Sequence, residues 1–188
     1  MSHLLRQHLS TITPFSDAEF DYVLSHFTPK KLKKHQFLVQ EGNAVPNDHF
    51  VLKGLLKATH VSPDGKEHIL QFAMEDWWIT DYQAFHQQSA ATINIDCIEA
   101  TEVLSLSLYN REKLCSELHK IEHCFRVKTS AGYVALQRRI LSLLDSNARE
   151  RYEQFIQQYP TLTQRLPKTL IAAYLGVSRE TLSRLYAL

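Results

Sequence analysis

The sequence predicts an α+β protein with a β-rich first half, a long central helix and a helix-turn-helix near its C-terminal end. Three observations support this. From about residue 30 to 108, short runs rich in Val, Ile, Phe, Leu and Thr alternate with turn residues. After Leu108 the apolar residues recur at spacings of 4, 3 and 4. Further on, two short helical apolar patterns flank a single glycine, Gly176.

Composition narrows the class of protein. The 188-residue chain is 44% hydrophobic and 22% charged, as in an ordinary globular protein. Without an apolar run near the roughly 20 residues of a membrane span, and without a secretory signal at the N-terminus, it is expected to be cytoplasmic with no membrane partner. Its three cysteines form no CxxC pair, so no metal site is predicted. Motifs of common enzyme classes are absent, and no enzyme is predicted.

The charge is divided unevenly along the chain. Residues 1–110 hold 8 Lys and Arg against 13 Asp and Glu, whereas residues 111–188 hold 13 against 7. A basic second half indicates an anionic partner, and nucleic acid is the commonest one. A basic helix surface that is merely solvated is the alternative.

The first half begins with a helix and continues as strands. Ser16 and Glu19 form the pattern of an N-terminal capping box, which predicts a helix over Ser16–His26. The turn sequence Ser62–Gly65 predicts a hairpin between the strands Leu55–Val61 and Glu67–Phe72. We expect a second antiparallel pair around Glu99-Ala100-Thr101, formed by Thr92–Ile98 and Glu102–Leu108.

The central helix is predicted to run from about residue 110 to 136, roughly 40 Å at 1.5 Å per residue. The residues at spacings of 4, 3 and 4 form a seam that would pack on a partner helix in a homodimer. These dimer-seam residues are Leu114, Leu118, Ile121 and Phe125. The alternative is a helix folded back on its own β domain.

The C-terminal region reads as helix, tight turn, helix. Pro167 suits a first helical turn, and Ile171, Ala172 and Leu175 give the first helix an inward face. Gly176 supplies a left-handed stop, and Ser178 is the expected N-cap of the second helix.

The outward face of the second helix has side chains that suit DNA bases. Arg can bond bidentately to guanine, and Glu can accept from cytosine. The predicted base-reading residues are Arg179, Glu180, Ser183 and Arg184. The predicted phosphate contacts are Lys168, Thr169 and Ser178. An ordinary helix hairpin with solvated charges is the alternative.

These residues resemble the Crp/Fnr superfamily of transcription regulators. Trp77-Trp78 and Asn147–Tyr152 resemble its Bacteroidetes-type members most. The most specific match is Ile171–Arg184, and Arg139–Leu144 is also similar. Weaker matches lie at Glu41-Gly42, Val51–Gly54, Asp64–Glu67 and Asp76–Trp78. The resemblance implies a double-stranded, jelly-roll-like β-roll of the cyclic-nucleotide-binding kind, a dimerisation helix and a C-terminal DNA-binding domain. We expect these at 1–108, 109–136 and 137–188, with the helix-turn-helix at 167–187 and a short or absent wing.

The ligand segment departs from that of cAMP-responsive members. Ile79-Thr80 stands near their Gly-Glu turn, and no Arg occurs between Arg6 and Arg111 to hold a cyclic phosphate. We therefore expect cAMP to bind weakly or not at all, and an unidentified small-molecule effector to take its place. The candidate effector-pocket residues are Trp77, Trp78, Thr80, Tyr82, Gln88 and Ser89. The alternative is that both tryptophans belong to the core.

The sequence as a whole predicts a homodimeric regulator that reads an inverted repeat in double-stranded DNA. Its two recognition helices would lie about 34 Å apart, one helical turn of DNA. RNA polymerase is a further candidate partner. The alternative function is a ligand-binding module with a vestigial helix-turn-helix that acts through protein contacts.

Overall fold

A computed structural model describes residues 3–186, so residue 187 of the predicted helix-turn-helix lies outside the described part. The chain forms two compact units. The first contains the described residues up to His60 together with Gln71–Lys128, and the second contains Val61–Leu70 together with the described residues from Thr129 onward.

The first unit opens with two short helices, α1 (His3–Ser10) and α2 (Asp17–Ser25). The predicted capping box of the second is confirmed. The backbone N–H of Glu19 donates to Ser16 Oγ at 3.3 Å, and the Ser16 N–H donates to Glu19 Oε2 at 2.8 Å. Both helices contribute to the core, since Leu5, Phe20 and Val23 are buried.

The strands form two four-stranded sheets, as predicted for a β-roll. They are β1 (Thr28–Leu32), β2 (Phe37–Val39), β3 (Asn47–Lys53), β4 (Leu56–Val61), β5 (Glu67–Ala73), β6 (Trp78–Ile79), β7 (Asn94–Cys97) and β8 (Thr101–Ser107). Their orders are β1-β8-β3-β6 and β2-β7-β4-β5. A short helix, α3 (Tyr82–Gln87), lies between β6 and β7.

The predicted hairpin between β4 and β5 is confirmed. The two strands are neighbours in the second sheet. Gly65 has φ +82°, and the Ser62 N–H donates to the Lys66 carbonyl at 3.0 Å. Glycine adopts this positive φ without the steric cost that a Cβ brings.

The second predicted pair is wrong, because β7 and β8 lie in different sheets. β7 pairs with β2 and β4, and β8 pairs with β1 and β3. The connection between β7 and β8 lies beside the connection between β3 and β4, because the Ile98 N–H donates to the Leu55 carbonyl at 2.8 Å. Beside it, a Cβ on Gly54 would stand 2.5 Å from Thr101 Oγ1. The β3–β4 and β7–β8 connections therefore lie side by side, and pairing with strands distant in sequence replaces the expected local turn between β7 and β8.

The single helix expected after β8 is two helices, α4 (Leu108–Glu117) and α5 (His119–Asp145). Leu118 has an extended backbone, with φ −126° and ψ 96°, and ends α4. No Pro or Gly occurs there, so no local signal marks the break.

The predicted dimer seam packs inside its own unit. Leu114 and Ile121 are buried, Phe125 is 8% exposed, and all three join a core cluster with residues of α1, α2, β3 and β8. Leu118 packs against the same cluster. The assignment of these four residues to a dimer seam is therefore corrected: at this end of the helix, the alternative of packing on the β domain holds.

The second unit is helical apart from the hairpin tip. The rest of α5 is followed by α6 (Ala148–Gln158), α7 (Pro160–Arg165), α8 (Lys168–Leu175) and α9 (Arg179–Tyr186). Its buried apolar residues are Ile69, Phe155, Leu162, Leu166, Ile171, Ala172, Leu175 and Leu182. Among the described residues, no helix is both long and apolar enough to cross a membrane.

Candidate nucleic-acid interface and effector segment

A tight turn joins α8 to α9, and its local chemistry is as predicted. Gly176 has φ +69° and ends α8 in the left-handed region, and the Val177 N–H donates to the Ala172 carbonyl at 3.0 Å. Ser178 caps α9, because its Oγ accepts from the Thr181 N–H at 3.1 Å. The predicted stop and N-cap are both confirmed.

α9 separates an apolar side from a polar one. Leu182 is fully buried, whereas Arg179, Glu180, Ser183 and Arg184 are exposed. The four predicted base-reading residues thus share the solvent-facing surface of one helix. Their side chains are hydrogen-bond donors and acceptors of the kinds that pair with base edges.

Glu180 is an anion at neutral pH. Its own backbone N–H and the Ser178 side chain stabilise the carboxylate, and the charges of Arg179 and Arg184 add to this, so the pKa of Glu180 is lowered. The carboxylate is therefore a hydrogen-bond acceptor.

The three predicted phosphate contacts flank this face. Lys168 and Thr169 are exposed in the first turn of α8, where backbone N–H groups also favour anions. Ser178 is exposed at the start of α9. Its oxygen serves the cap, and its hydroxyl also lies 3.1 Å from Thr181 Oγ1.

The two tryptophans of the predicted effector pocket are separated. Trp77 packs against the cluster between the two sheets. Trp78 packs on the helix-covered side instead, with ring centroids 5.3 Å from Phe50 and 5.5 Å from Phe125. The two rings pack against different core clusters, so one pocket cannot hold both. Trp78 is removed from the candidate pocket.

Thr80 also has a structural contact. It is buried, and its Oγ1 donates to the Asn47 carbonyl at 2.9 Å. Tyr82, Gln88 and Ser89 are exposed on and after α3, and Gln88 has a left-handed backbone with φ +51°. Of the six candidates, Trp77, Tyr82, Gln88 and Ser89 remain.

Asp81 organises this segment, a role that the sequence did not reveal. Its carboxylate accepts from the Ala84 N–H at 3.1 Å, which caps α3, and from the Thr92 N–H at 2.7 Å and Thr92 Oγ1 at 2.9 Å. Burial opposes ionisation, but these hydrogen bonds outweigh it and lower the pKa of Asp81. The carboxylate thus fastens the start of α3 to the segment that precedes β7.

A buried histidine was likewise missed. Trp78 Nε1–H can only donate, and it donates to His8 Nε2 at 3.2 Å. His8 Nδ1 therefore carries the proton and donates to Asp76 Oδ1 at 2.7 Å. Burial and the charge of Lys128 lower the pKa of His8, although Asp76 raises it. The neutral ring links α1 to the turn before β6.

Arg111, the first arginine after Arg6, does not replace the missing phosphate clamp. Its guanidinium pairs with the buried Asp48 at 3.1 Å and lies 4.4 Å from the ring centroid of Phe125. Asp48 shares a face of β3 with Phe50, which packs on the helix-covered side. Burial raises the pKa of Asp48 to about 7, although Arg111 lowers it. The pair belongs to the core.

Comparisons with known proteins find similarity in one domain and in the overall fold. Residues 29–117 match the cyclic nucleotide-binding domain family. A comparison with curated proteins gives no significant match. Among solved structures, FixK2 from Bradyrhizobium japonicum is similar with a TM-score of 0.75 and 17% identity, covering 86% of this chain and 83% of that chain.

Two further structures agree in fold. The c-di-GMP responsive global regulator CLP from Xanthomonas campestris has a TM-score of 0.75 and 13% identity, with 92% of this chain and 90% of that chain covered. The catabolite activator protein of Thermus thermophilus has a TM-score of 0.58 and 20% identity, with 96% and 85% covered. Residues 29–117 thus match the cyclic nucleotide-binding domain family, and the chain shares the fold of these solved structures.

Proposed function

We propose that this protein is a homodimeric, sequence-specific DNA-binding regulator of transcription. The observation that carries the proposal is the surface of α9, where Leu182 is buried and two arginines, a glutamate and a serine face solvent. In the major groove Arg179 and Arg184 would bond to guanine O6 and N7, and Glu180 would accept from cytosine N4. Lys168, Thr169 and Ser178 would hold phosphates and fix the register.

An exposed apolar stripe supports a dimer through the later part of α5. Tyr133, Leu136, Ile140 and Leu143 recur at spacings of 3, 4 and 3 and are 69%, 54%, 57% and 43% exposed. This is the heptad spacing by which two helices pack along one another. We assign the dimer seam to these four residues in place of the buried set further upstream. A two-fold dimer would read an inverted repeat with half-sites about 34 Å apart.

The effector is proposed to be a small molecule other than cAMP. Ile79-Thr80 stands near the position of the Gly-Glu turn of cAMP-responsive members, and Thr80 Oγ1 already donates a hydrogen bond to the Asn47 carbonyl. Arg111 is occupied with Asp48. A buried cyclic phosphate would therefore lack a bidentate charged donor from these residues. RNA polymerase is proposed as a further partner of the DNA-bound dimer.

The test is selection from a random pool of duplex DNA at fixed physiological salt, followed by fluorescence anisotropy on the enriched sequence. We expect an inverted repeat, bound equally with and without cAMP. Arg179→Ala and Arg184→Ala should each weaken binding to that repeat by about 1–3 kcal/mol and relax selectivity at one base pair. Arg138→Ala, an exposed arginine of α5, is the control. Unchanged selectivity in both α9 variants would contradict the assignment.

A further inference from the structure

The C-terminal end of α8 is closed by two arginines from other helices. The last four carbonyls of a helix lack partners within it. Here the Ala172 carbonyl accepts from the Val177 N–H at 3.0 Å, and that of Ala173 accepts from the Gly176 N–H at 3.4 Å. The other two carbonyls accept from side chains, Tyr174 from Arg139 Nη2 at 2.8 Å and Leu175 from Arg151 Nε at 3.0 Å.

Arg139 also holds the hairpin tip. The same Nη2 donates to the Ile69 carbonyl of β5 at 2.9 Å, and the guanidinium carbon lies 3.6 Å from the ring centroid of Tyr174. Residues 61–70, α8 and this part of α5 all belong to the second unit. One guanidinium therefore joins three elements of that unit, through two charge-assisted hydrogen bonds and a cation–π contact.

Arg151 makes a comparable contact without the hairpin. Its Nη1 donates to the Ser146 carbonyl, in the turn between α5 and α6, at 2.6 Å. Arg151 thus fastens α8 to that turn, whereas Arg139 fastens α8 to α5 and to β5. The two arginines share one target and differ in the second element that each one holds.

We propose that Arg139 is a positioning residue that couples the β4–β5 hairpin to the DNA-reading helices. Because β4 and β5 both belong in part to the first unit, and the hairpin segment Val61–Leu70 belongs to the same unit as α8, a displacement of the strands reaches the α8–α9 pair through this side chain. Arg139 and Arg151 would then contribute no phosphate contact, although both lie in the basic half of the chain. The inference rests on the proposed function only for its DNA readout.

The first experiment is hydrogen exchange of the full chain, resolved by peptide. Arg139→Met should speed exchange at both the hairpin tip and the end of α8, because both lose a charged donor. Arg151→Met should speed it at the end of α8 and near Ser146, with the tip unchanged. Arg139→Lys keeps the charge but lacks the planar guanidinium, so its exchange rates at both segments should lie between those of wild type and Arg139→Met. Arg138→Met, a neighbour with the same charge, should change neither segment.

A double-mutant cycle tests the coupling itself. Gly65→Val strains the hairpin tip, where φ is +82° and a Cβ would meet nothing within 4 Å. In wild-type background this change should also speed exchange at the end of α8. In the Arg139→Met background it should have no further effect there. Additive effects in the two backgrounds would overturn the coupling.

DNA binding separates positioning from direct contact. Arg139→Met should bind the selected repeat about tenfold more weakly, the cost of one charge-assisted hydrogen bond, with the salt dependence unchanged. Lys168→Met should instead lower the salt slope by about 1, because a phosphate contact releases counterions. A flatter slope in Arg139→Met would overturn the positioning role. If wild type selects no DNA, the proposed function fails, and the exchange experiments still decide the coupling.

Discussion

The two units differ in the apolar surface that they leave exposed. In the first unit the large exposed apolar side chains are scattered over α2, β2, α3 and α4. In the second, apart from Val61 and Leu70 of the hairpin, they gather on α5, as Tyr133, Val134, Leu136, Ile140, Leu141, Leu143 and Leu144. Scattered apolar residues are normal on a protein surface, whereas a contiguous group marks a surface that meets a partner.

The division falls within a single helix. Ile121, Cys124 and Phe125 at the start of α5 are buried against their own unit, and the apolar residues after position 132 face solvent. The helical spacing of apolar residues thus places side chains in the core at the start of α5 and on an exposed stripe in its later part. The first unit buries its part of α5, and the second leaves exposed the stripe that is proposed above as the dimer seam.

The largest effect is expected from opening the core of the first unit. Phe50 is fully buried, with ring centroids 4.9 Å from His8 and 5.3 Å from Trp78. Phe50→Ala should lower the free energy of unfolding by about 3–5 kcal/mol in urea denaturation. Leu144→Ala, at a residue 74% exposed, should change the stability of the dilute monomer by no more than about 0.5 kcal/mol. Equal losses would remove the difference between the units.

Two glycines with positive φ sharpen the comparison. At Gly54, with φ +106°, a Cβ would stand 2.5 Å from Thr101 Oγ1 and 2.7 Å from the Ala100 carbonyl oxygen. Gly54→Ala should therefore cost about 2–5 kcal/mol, because left-handed strain and overpacking add. At Gly176 the φ is +69° with nothing within 4 Å, so Gly176→Ala should cost only about 1–2 kcal/mol. Thermal denaturation of both variants measures the difference, and a reversed order would contradict the crowded crossover.

A third prediction concerns pH and the buried His49. Burial lowers the pKa of His49 to about 3, and its Nδ1 lies 2.9 Å from Ser105 Oγ. The unfolded chain therefore binds a proton that the folded chain does not, and stability falls as pH decreases from 6.5 toward 3. His49→Gln cannot take up this proton. As pH decreases, the free energy of unfolding of His49→Gln should therefore fall less steeply than that of wild type, and the two slopes should differ by up to about 1.4 kcal/mol per pH unit.

Asp48 acts in the opposite direction in an overlapping range, because its pKa is raised from 3.8 to about 7. The informative quantity is therefore the difference between wild type and His49→Gln, measured by urea denaturation at several pH values. A lost Ser105 contact shifts the two curves by a constant. Parallel curves would mean that His49 is not held neutral by burial.

The smallest effect on monomer stability is expected at the exposed stripe. Ile140→Lys should change the stability of the dilute monomer by no more than about 0.5 kcal/mol. In analytical ultracentrifugation it should convert dimer to monomer, because a charge would be buried in the seam. Tyr109→Lys, on α4 at a residue 76% exposed, is the control and should leave association unchanged. A dimer that survives Ile140→Lys would place the seam elsewhere.

Local signals in the sequence predicted local structure correctly. The capping box at Ser16 and Glu19, the hairpin tip at Gly65, the helix stop at Gly176 and the N-cap at Ser178 all hold. Each depends on the backbone conformation of one residue or on a hydrogen bond between residues that are three positions apart. Such interactions are fixed by chemistry close in the chain.

Contacts between distant residues could not be predicted in this way. β7 was assigned to the wrong partner, and Trp78 was placed in a pocket although it donates to His8, seventy residues away in the chain. The buried pair of Asp48 and Arg111 likewise joins β3 to α4. Periodicity identifies an apolar face and carries no information about which element covers it.

The sequence by itself determined the β-rich first half, the helical and basic second half and the polar face of α9, because propensity, capping and charge are properties of neighbouring residues. Only the tertiary structure decided which apolar residues of α5 are buried, which tryptophan faces the space between the sheets, and which arginines hold α8. Burial and long-range hydrogen bonds depend on where the chain returns in space, and that is a property of the whole fold.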